Sequence, residues 1–260
     1  MHIVAIHDWQ KTEDEVAQII AGYLGLLTFE TRQKIAGGGP VVLACFAACQ
    51  DAERLAACLT SEGLVVMVID TAAVRKRDPP VPARRFLFGA KSMHIELSGR
   101  EPDIIEYSMI DVLLVASSGP APEQKTTKVV DRKLSLGRTL LAGGVPITRK
   151  VTRKETVTSE ANNQTLMLYT CDHKTVIFDQ GMLNYNGFGA AMKLSRDLNF
   201  SQLKNELRRL APQAGYDDRL LRRSSLVRLL GHALSPEADL DLAFEILYRS
   251  LKQQPSSRGK

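Results

Sequence analysis

Arg75-Lys76-Arg77-Asp78-Pro79-Pro80-Val81-Pro82 divides the chain. Its prolines lack the amide hydrogens that regular ladders use, and the charges beside them prefer water, so residues 72–83 read as a linker. The period of the apolar pattern changes across it. Before the linker, apolar residues recur at helical spacing between short apolar runs; after it, short runs of period two are separated by Gly and Ser. An α+β chain of successive modules is expected.

On the N-terminal side, residues 2–6 read as a strand, and Thr12-Glu13-Asp14-Glu15 forms a capping box that starts a helix. Val16, Ile19, Ile20, Tyr23 and Leu24 lie on one stripe of that helix. A second helix over residues 28–35 ends at Gly37-Gly38-Gly39-Pro40, since glycine accepts left-handed cap geometry and proline cannot continue a helix. Residues 41–46 read as a buried strand, 51–61 as a helix with Ala52, Leu55, Cys58 and Leu59 inward, and 64–69 as a returning strand. Strand, helix, helix, strand, helix, strand makes a small α/β sandwich over residues 1–71, with its helices on one face of the sheet.

The markers Gly25-Leu26-Leu27-Thr28-Phe29-Glu30-Thr31, Gly39-Pro40, Ala52-Glu53-Arg54-Leu55 and Leu59-Thr60-Ser61-Glu62-Gly63-Leu64-Val65-Val66 fall in order. Over residues 2–70 they resemble the C-terminal domain of the bacterial ribosomal stalk protein, a fold similar to the Clp protease adaptor. The resemblance implies a fold and stops there. The stalk domain presents lysines to translation factors, whereas the lysines of this segment are Lys11 and Lys34 and its net charge is negative, so that activity is not carried over.

Beyond the linker, residues 85–88, 93–97, 104–107 and 110–116 read as an antiparallel meander, which Ser117-Ser118-Gly119-Pro120 interrupts. Residues 165–170 and 175–178 resume as a hairpin across Asp172-His173, a further strand is expected within 182–185, and Asn199 is placed to cap a helix carrying Leu203, Leu207 and Leu210. Six or seven strands and one late helix over residues 84–211 resemble a pleckstrin-homology-like antiparallel β-barrel, which a helix would plug at one end. Residues 212–260 are expected as C-terminal helices: one over 219–230, and one capped at Ser235-Pro236 with Leu240, Ala243, Phe244, Leu247 and Leu251 inward.

Charge is unevenly spread. The 260 residues carry 34 Lys/Arg against 29 Asp/Glu, yet residues 1–71 are net −5 and residues 72–260 net +10. Most of that excess sits in an insertion, residues 124–154, where Lys125, Lys128, Arg132, Lys133, Arg138, Arg149, Lys150, Arg153 and Lys154 face the single acid Asp131. Such a segment is the complement of an anionic surface: nucleic-acid phosphates, acidic lipid headgroups or an acidic protein patch. It contains no aromatic residue, so base stacking is absent and any nucleic-acid binding would be sequence-blind and salt-sensitive.

Catalytic constellations are harder to find. A nucleophile needs a base in reach and a group to orient it, and the five histidines, His2, His7, His94, His173 and His232, sit in unrelated local contexts. The glycine run at 37–39 follows a helix and precedes a strand, the reverse of a phosphate loop. Cys45, Cys49, Cys58 and Cys171 lack the spacing of a zinc or CxxC site and read as buried structural thiols in a reducing compartment. No stretch has the ~18 to 20 apolar residues of a membrane span, and no export signal heads the sequence. The expectation is a bacterial, cytoplasmic adaptor or regulatory module without cofactor or metal, binding a protein or an anionic surface. Nucleic-acid association through residues 124–154 is the first alternative, and an enzyme with a site at the domain interface is the second.

Overall fold

The computed structural model describes residues 1–117 and 163–253, together with the strands Gln124–Leu134 and Thr148–Thr158. Residues 118–162 form a unit of their own, and the rest of the described chain forms another.

Strand β1 (His2–Trp9) lies between β2 (Val41–Phe46) and β3 (Leu64–Asp70), antiparallel to both. Alternation sends Val4 and Ile6 to one face, where they meet Val16, Ala17 and Ile20 of α1 (Glu13–Leu24), Ile35 of α2 (Thr28–Ile35) and Ala52, Leu55 and Leu59 of α3 (Cys49–Ser61). The capping box at the start of α1 forms as its spacing predicts: the Glu15 amide donates to the Thr12 hydroxyl at 3.3 Å, and the Thr12 amide donates to the Glu15 carboxylate at 2.9 Å. The other face of the same sheet carries Ile3, Ala5, Val42, Met67 and Ile69, and it is buried too. Both faces of β1 are therefore covered, which explains an unbroken Ile3-Val4-Ala5-Ile6 run.

The second sheet has seven strands in the order β12-β7-β10-β11-β4-β5-β6. These are β4 (Val81–Phe88), β5 (Ser92–Leu97), β6 (Asp103–Glu106), β7 (Ile110–Ser117), β10 (Gln164–Thr170), β11 (Thr175–Asp179) and β12 (Gly215–Leu220), with β8 and β9 held for the inserted unit. The β12/β7 and β11/β4 pairs are parallel and the others antiparallel. This corrects the barrel expectation. Closure would need a ladder between β12 and β6, and these are the two ends of an open sheet.

After the short α4 (Thr71–Arg75), helix α5 (Arg196–Leu210) lies on one face of that sheet instead of plugging an end, with Phe200, Leu203 and Leu207 packed among Phe86, Met93, Leu113, Leu166 and Phe178. Its cap is Ser195, whose hydroxyl accepts from the Leu198 amide at 3.2 Å; Asn199, expected at the cap, is buried inside the first turn. Residues 182–185 form no strand of their own, and Asn184 makes an isolated bridge to Arg85.

The C-terminal helices join the two sheets. The first is shorter than expected, because Arg219 and Leu220 end strand β12 and α6 spans Arg223–Leu230. The second, α7 (Leu240–Gln253), starts after a turn in which the Asp239 carboxylate accepts the Ser235 amide at 2.8 Å. Leu226, Leu229 and Leu230 of α6 and Leu242, Ala243, Phe244, Ile246 and Leu247 of α7 share one core with Ile3, Ala5, Val42 and Met67 of the first sheet and Val112, Leu114, Ala116 and Met167 of the second. Residues 242–247 of α7 are buried all round, as a helix between two sheets must be. No helix among the described residues is long and apolar enough to cross a membrane.

Candidate functional site

The inserted unit contains a two-stranded antiparallel ribbon, β8 (Gln124–Leu134) paired with β9 (Thr148–Thr158). Eight of the nine candidate residues lie on these strands: Lys125, Lys128, Arg132 and Lys133 on β8, and Arg149, Lys150, Arg153 and Lys154 on β9. Arg138 lies outside the described residues.

Register decides what the charges do. Lys128 stands opposite Lys154, Arg132 opposite Lys150, and Lys133 opposite Arg149. The two acids of the strands are not opposite cations: Asp131 stands across from Val151 and Glu155 across from Thr127. Because opposed residues share a face and neighbours alternate, Lys128, Arg132, Lys150 and Lys154 occupy one face with no acid, while Asp131 and Glu155 occupy the other. On the all-cationic face two cation pairs are separated by four residues, roughly 13 Å along the strand. Like charges directly opposite destabilise a ladder, and an isolated two-stranded ribbon is marginal to begin with.

The insertion begins and ends at one point of the second sheet, since Ser117 at the end of β7 is paired with Gln164 at the start of β10. The body thus keeps its strand order whatever the length of the connection.

Elsewhere the sequence-derived candidates are used internally. His7 is the extra residue of a bulge between β1 and β3, which turns its ring inward, where Nε2 meets Gln253 Oε1 at 2.9 Å and burial lowers its pKa. His94 is exposed on β5, and His173 takes a left-handed backbone (φ 66°) in the β10–β11 turn. Among the described residues no group of three or more His, Cys, Asp or Glu is placed to hold a metal ion. The thiols are all free, but Cys49 and Cys171 are exposed, against the expectation of burial. At Cys49, the first residue of α3, the thiol donates to Glu53 at 3.3 Å, and this contact is the main cause that raises its pKa.

Two arginines of the C-terminal part, Arg219 and Arg228, are likewise occupied. Arg219 sets Nε against both Asp217 oxygens at 3.0 and 2.8 Å and donates from Nη1 to the Gly39 carbonyl at 2.6 Å, while Arg228 donates to the Ala36 carbonyl at 2.8 Å. Two guanidinium groups thereby fasten the glycine loop after α2, a role that charge counting missed. Where the linker passes α7, a cavity of about 290 Å³ is lined by Val74, Arg77, Met167, Tyr169, Phe244 and Glu245. Burial raises the Tyr169 pKa, its ring stacks on Tyr248 at 4.5 Å, and both Glu245 oxygens are taken by guanidinium nitrogens. A neighbouring cavity of about 530 Å³ contains His173 and Arg100, with Lys174 paired to Asp103 at 2.9 Å.

The chain matches no family model, no curated protein and no solved structure.

Proposed function

We propose that this chain is a non-catalytic adaptor module of the bacterial cytoplasm that holds a polyanionic partner on the β8–β9 ribbon. The register supports it: on one face two cation pairs stand directly opposed, Lys128 with Lys154 and Arg132 with Lys150, and neither acid of the strands lies on that face. A ribbon built for its own stability would set Lys opposite Glu. The strand and helix order of residues 2–70 supports the stalk-domain and Clp-adaptor resemblance within the same reading, as a protein-contact module attached to an anion-binding one. Four free thiols suit a reducing compartment.

Nucleic acid is the second reading, favoured by the ribbon itself, because a two-stranded β-ribbon is one of the two elements that the major groove of a duplex admits. With no aromatic residue in residues 124–154, such binding rests on phosphates.

Binding of labelled duplex DNA, duplex RNA, heparin and an acidic peptide, measured by anisotropy across a salt series, tests both readings. Four neutralised phosphates would give a slope of log K against log salt of about −3 to −4 on DNA. A chain in which residues 118–163 are replaced by Asn-Gly, a two-residue turn that suits the Ser117/Gln164 pair, is expected to stay folded and lose this binding. Affinity retained by the shortened chain sinks the proposal. Heparin or peptide binding without duplex binding removes the second reading alone.

A further inference from the structure

The loop between β11 and α5 exposes six consecutive residues, Gly189-Ala190-Ala191-Met192-Lys193-Leu194. Leu194 is 107% exposed, Met192 about half, and Leu198, one turn further along, 57%. Exposed leucines are common singly, but here they cluster on a loop fastened at both ends. At the near end, Phe188 packs its ring 5.0 Å from Phe86 and 6.0 Å from Phe88. At the far end, the buried Asn199 clasps the main chain: its Oδ1 accepts the Lys193 amide at 2.7 Å, and its Nδ2 donates to the Lys193 and Ser195 carbonyls at 2.9 Å. The backbone is thus fixed in a shape that presents Met192 and Leu194 to water.

Cations are interleaved with these apolar residues. Lys193 and Arg196 are exposed, and neither makes an ion pair among the described residues. Asp197, the one acid of the stretch, is hydrogen-bonded to the Gln180 side chain. The order Met192, Lys193, Leu194, Arg196, Leu198 places apolar tips between basic groups, the arrangement that suits a bilayer interface, where apolar side chains enter the acyl boundary and cations remain with the phosphates.

We propose that the Gly189–Leu198 loop docks on an anionic lipid surface, with Met192, Leu194 and Leu198 inserted and Lys193 and Arg196 on the headgroups. No residue of the β8–β9 ribbon takes part, so this docking stands or falls separately from the polyanion reading. One shallow insertion with two cations makes a weak, reversible anchor.

Co-sedimentation of the full chain with vesicles of phosphatidylcholine, alone or with a third of phosphatidylserine, is the test. Binding is expected on the mixed vesicles only. In the chain shortened at residues 118–163, which lacks the cations of the ribbon, the double variant Met192→Ser, Leu194→Ser should weaken it on the order of tenfold, and Lys193→Glu, Arg196→Glu should abolish the preference for phosphatidylserine. These are surface positions, and an unchanged thermal transition confirms the fold of each variant. The chain shortened at residues 118–163 should still bind. The inference is overturned if the full chain ignores both vesicle types, if both variants bind like the parent, if binding disappears with the ribbon instead, or if the apolar variant abolishes self-association of the free chain while leaving sedimentation unchanged.

Discussion

Arg77 presents two guanidinium nitrogens to the two carboxylate oxygens of Glu245, at 2.6 and 3.1 Å. Arg77 ends the segment that leaves the first sheet, and Glu245 sits in α7, the helix packed on the second. Glu245 is buried, and its Oε1 also accepts Arg249 Nε at 2.6 Å, while Arg249 reaches the Val68 carbonyl of β3 at 3.2 Å. The segment that reads as a linker is therefore pinned. Arg75 repeats the device on Asp239, directly before α7.

Loss of the pin should be asymmetric. Arg77 is half exposed, so Arg77→Ala is expected to cost about 1 kcal/mol, whereas Glu245→Ala strands two guanidinium groups and opens a gap, at roughly 2–4 kcal/mol. In urea denaturation the double variant should cost less than the two single changes added, because they share one contact. Additive losses would show that the pair does not couple.

Acid should loosen the same core from the other side. Burial holds the His7 pKa below its ordinary value of about 6.5, so the unfolded chain takes up a proton at a pH where the folded chain does not. The contribution is complete above that value and is lost as pH falls from it toward the depressed folded value. Thermal midpoints measured between pH 7.5 and 5 should fall, and His7→Gln should flatten the decline. An equal decline in the variant would assign the effect to other groups.

Three glycines make opposite predictions. A Cβ on Gly39 would lie 2.6 to 2.8 Å from His7 backbone atoms, and one on Gly187 would lie 1.9 Å from the Phe86 carbonyl oxygen, so alanine at either site should destabilise by roughly 1–3 kcal/mol. Gly22 sits inside α1 with nothing within 4 Å, and Gly22→Ala should stabilise by about 0.5–1 kcal/mol. Denaturation midpoints of the three variants decide it.

Local signals were legible where local chemistry decides the outcome. The Thr12 box, the stripe Val16, Ile20 and the stop at residues 37–40 all act over a few residues, and the first sheet follows from them. What escaped depends on distant partners. Gly215-Tyr216-Asp217-Asp218-Arg219-Leu220 reads as polar and helical at its end, yet it is a strand because β7 accepts it in parallel and Arg219 neutralises the buried Asp217. The second face of the first sheet gave no sign of its cover, because α6 and α7 lie more than 150 residues away in sequence. For the candidate site, the charge count was visible, but the faces were not: one residue of slippage in the ribbon would move every lysine to a different partner. The clasp of Asn199 on Lys193 looked like a cap, since Asn suits both roles.

If the ribbon holds a partner by one face and not by its total charge, reversing charges on the two faces must have unequal effects. Lys128→Glu with Lys150→Glu reverses two cations on the acid-free face, and Lys133→Glu with Arg149→Glu reverses two on the opposite face, so both variants change net charge equally. Heparin and duplex affinities at one fixed salt concentration compare them directly. The first variant is expected to lose affinity at least about tenfold more than the second; equal losses in the two would mean that total charge, not one face, decides the binding.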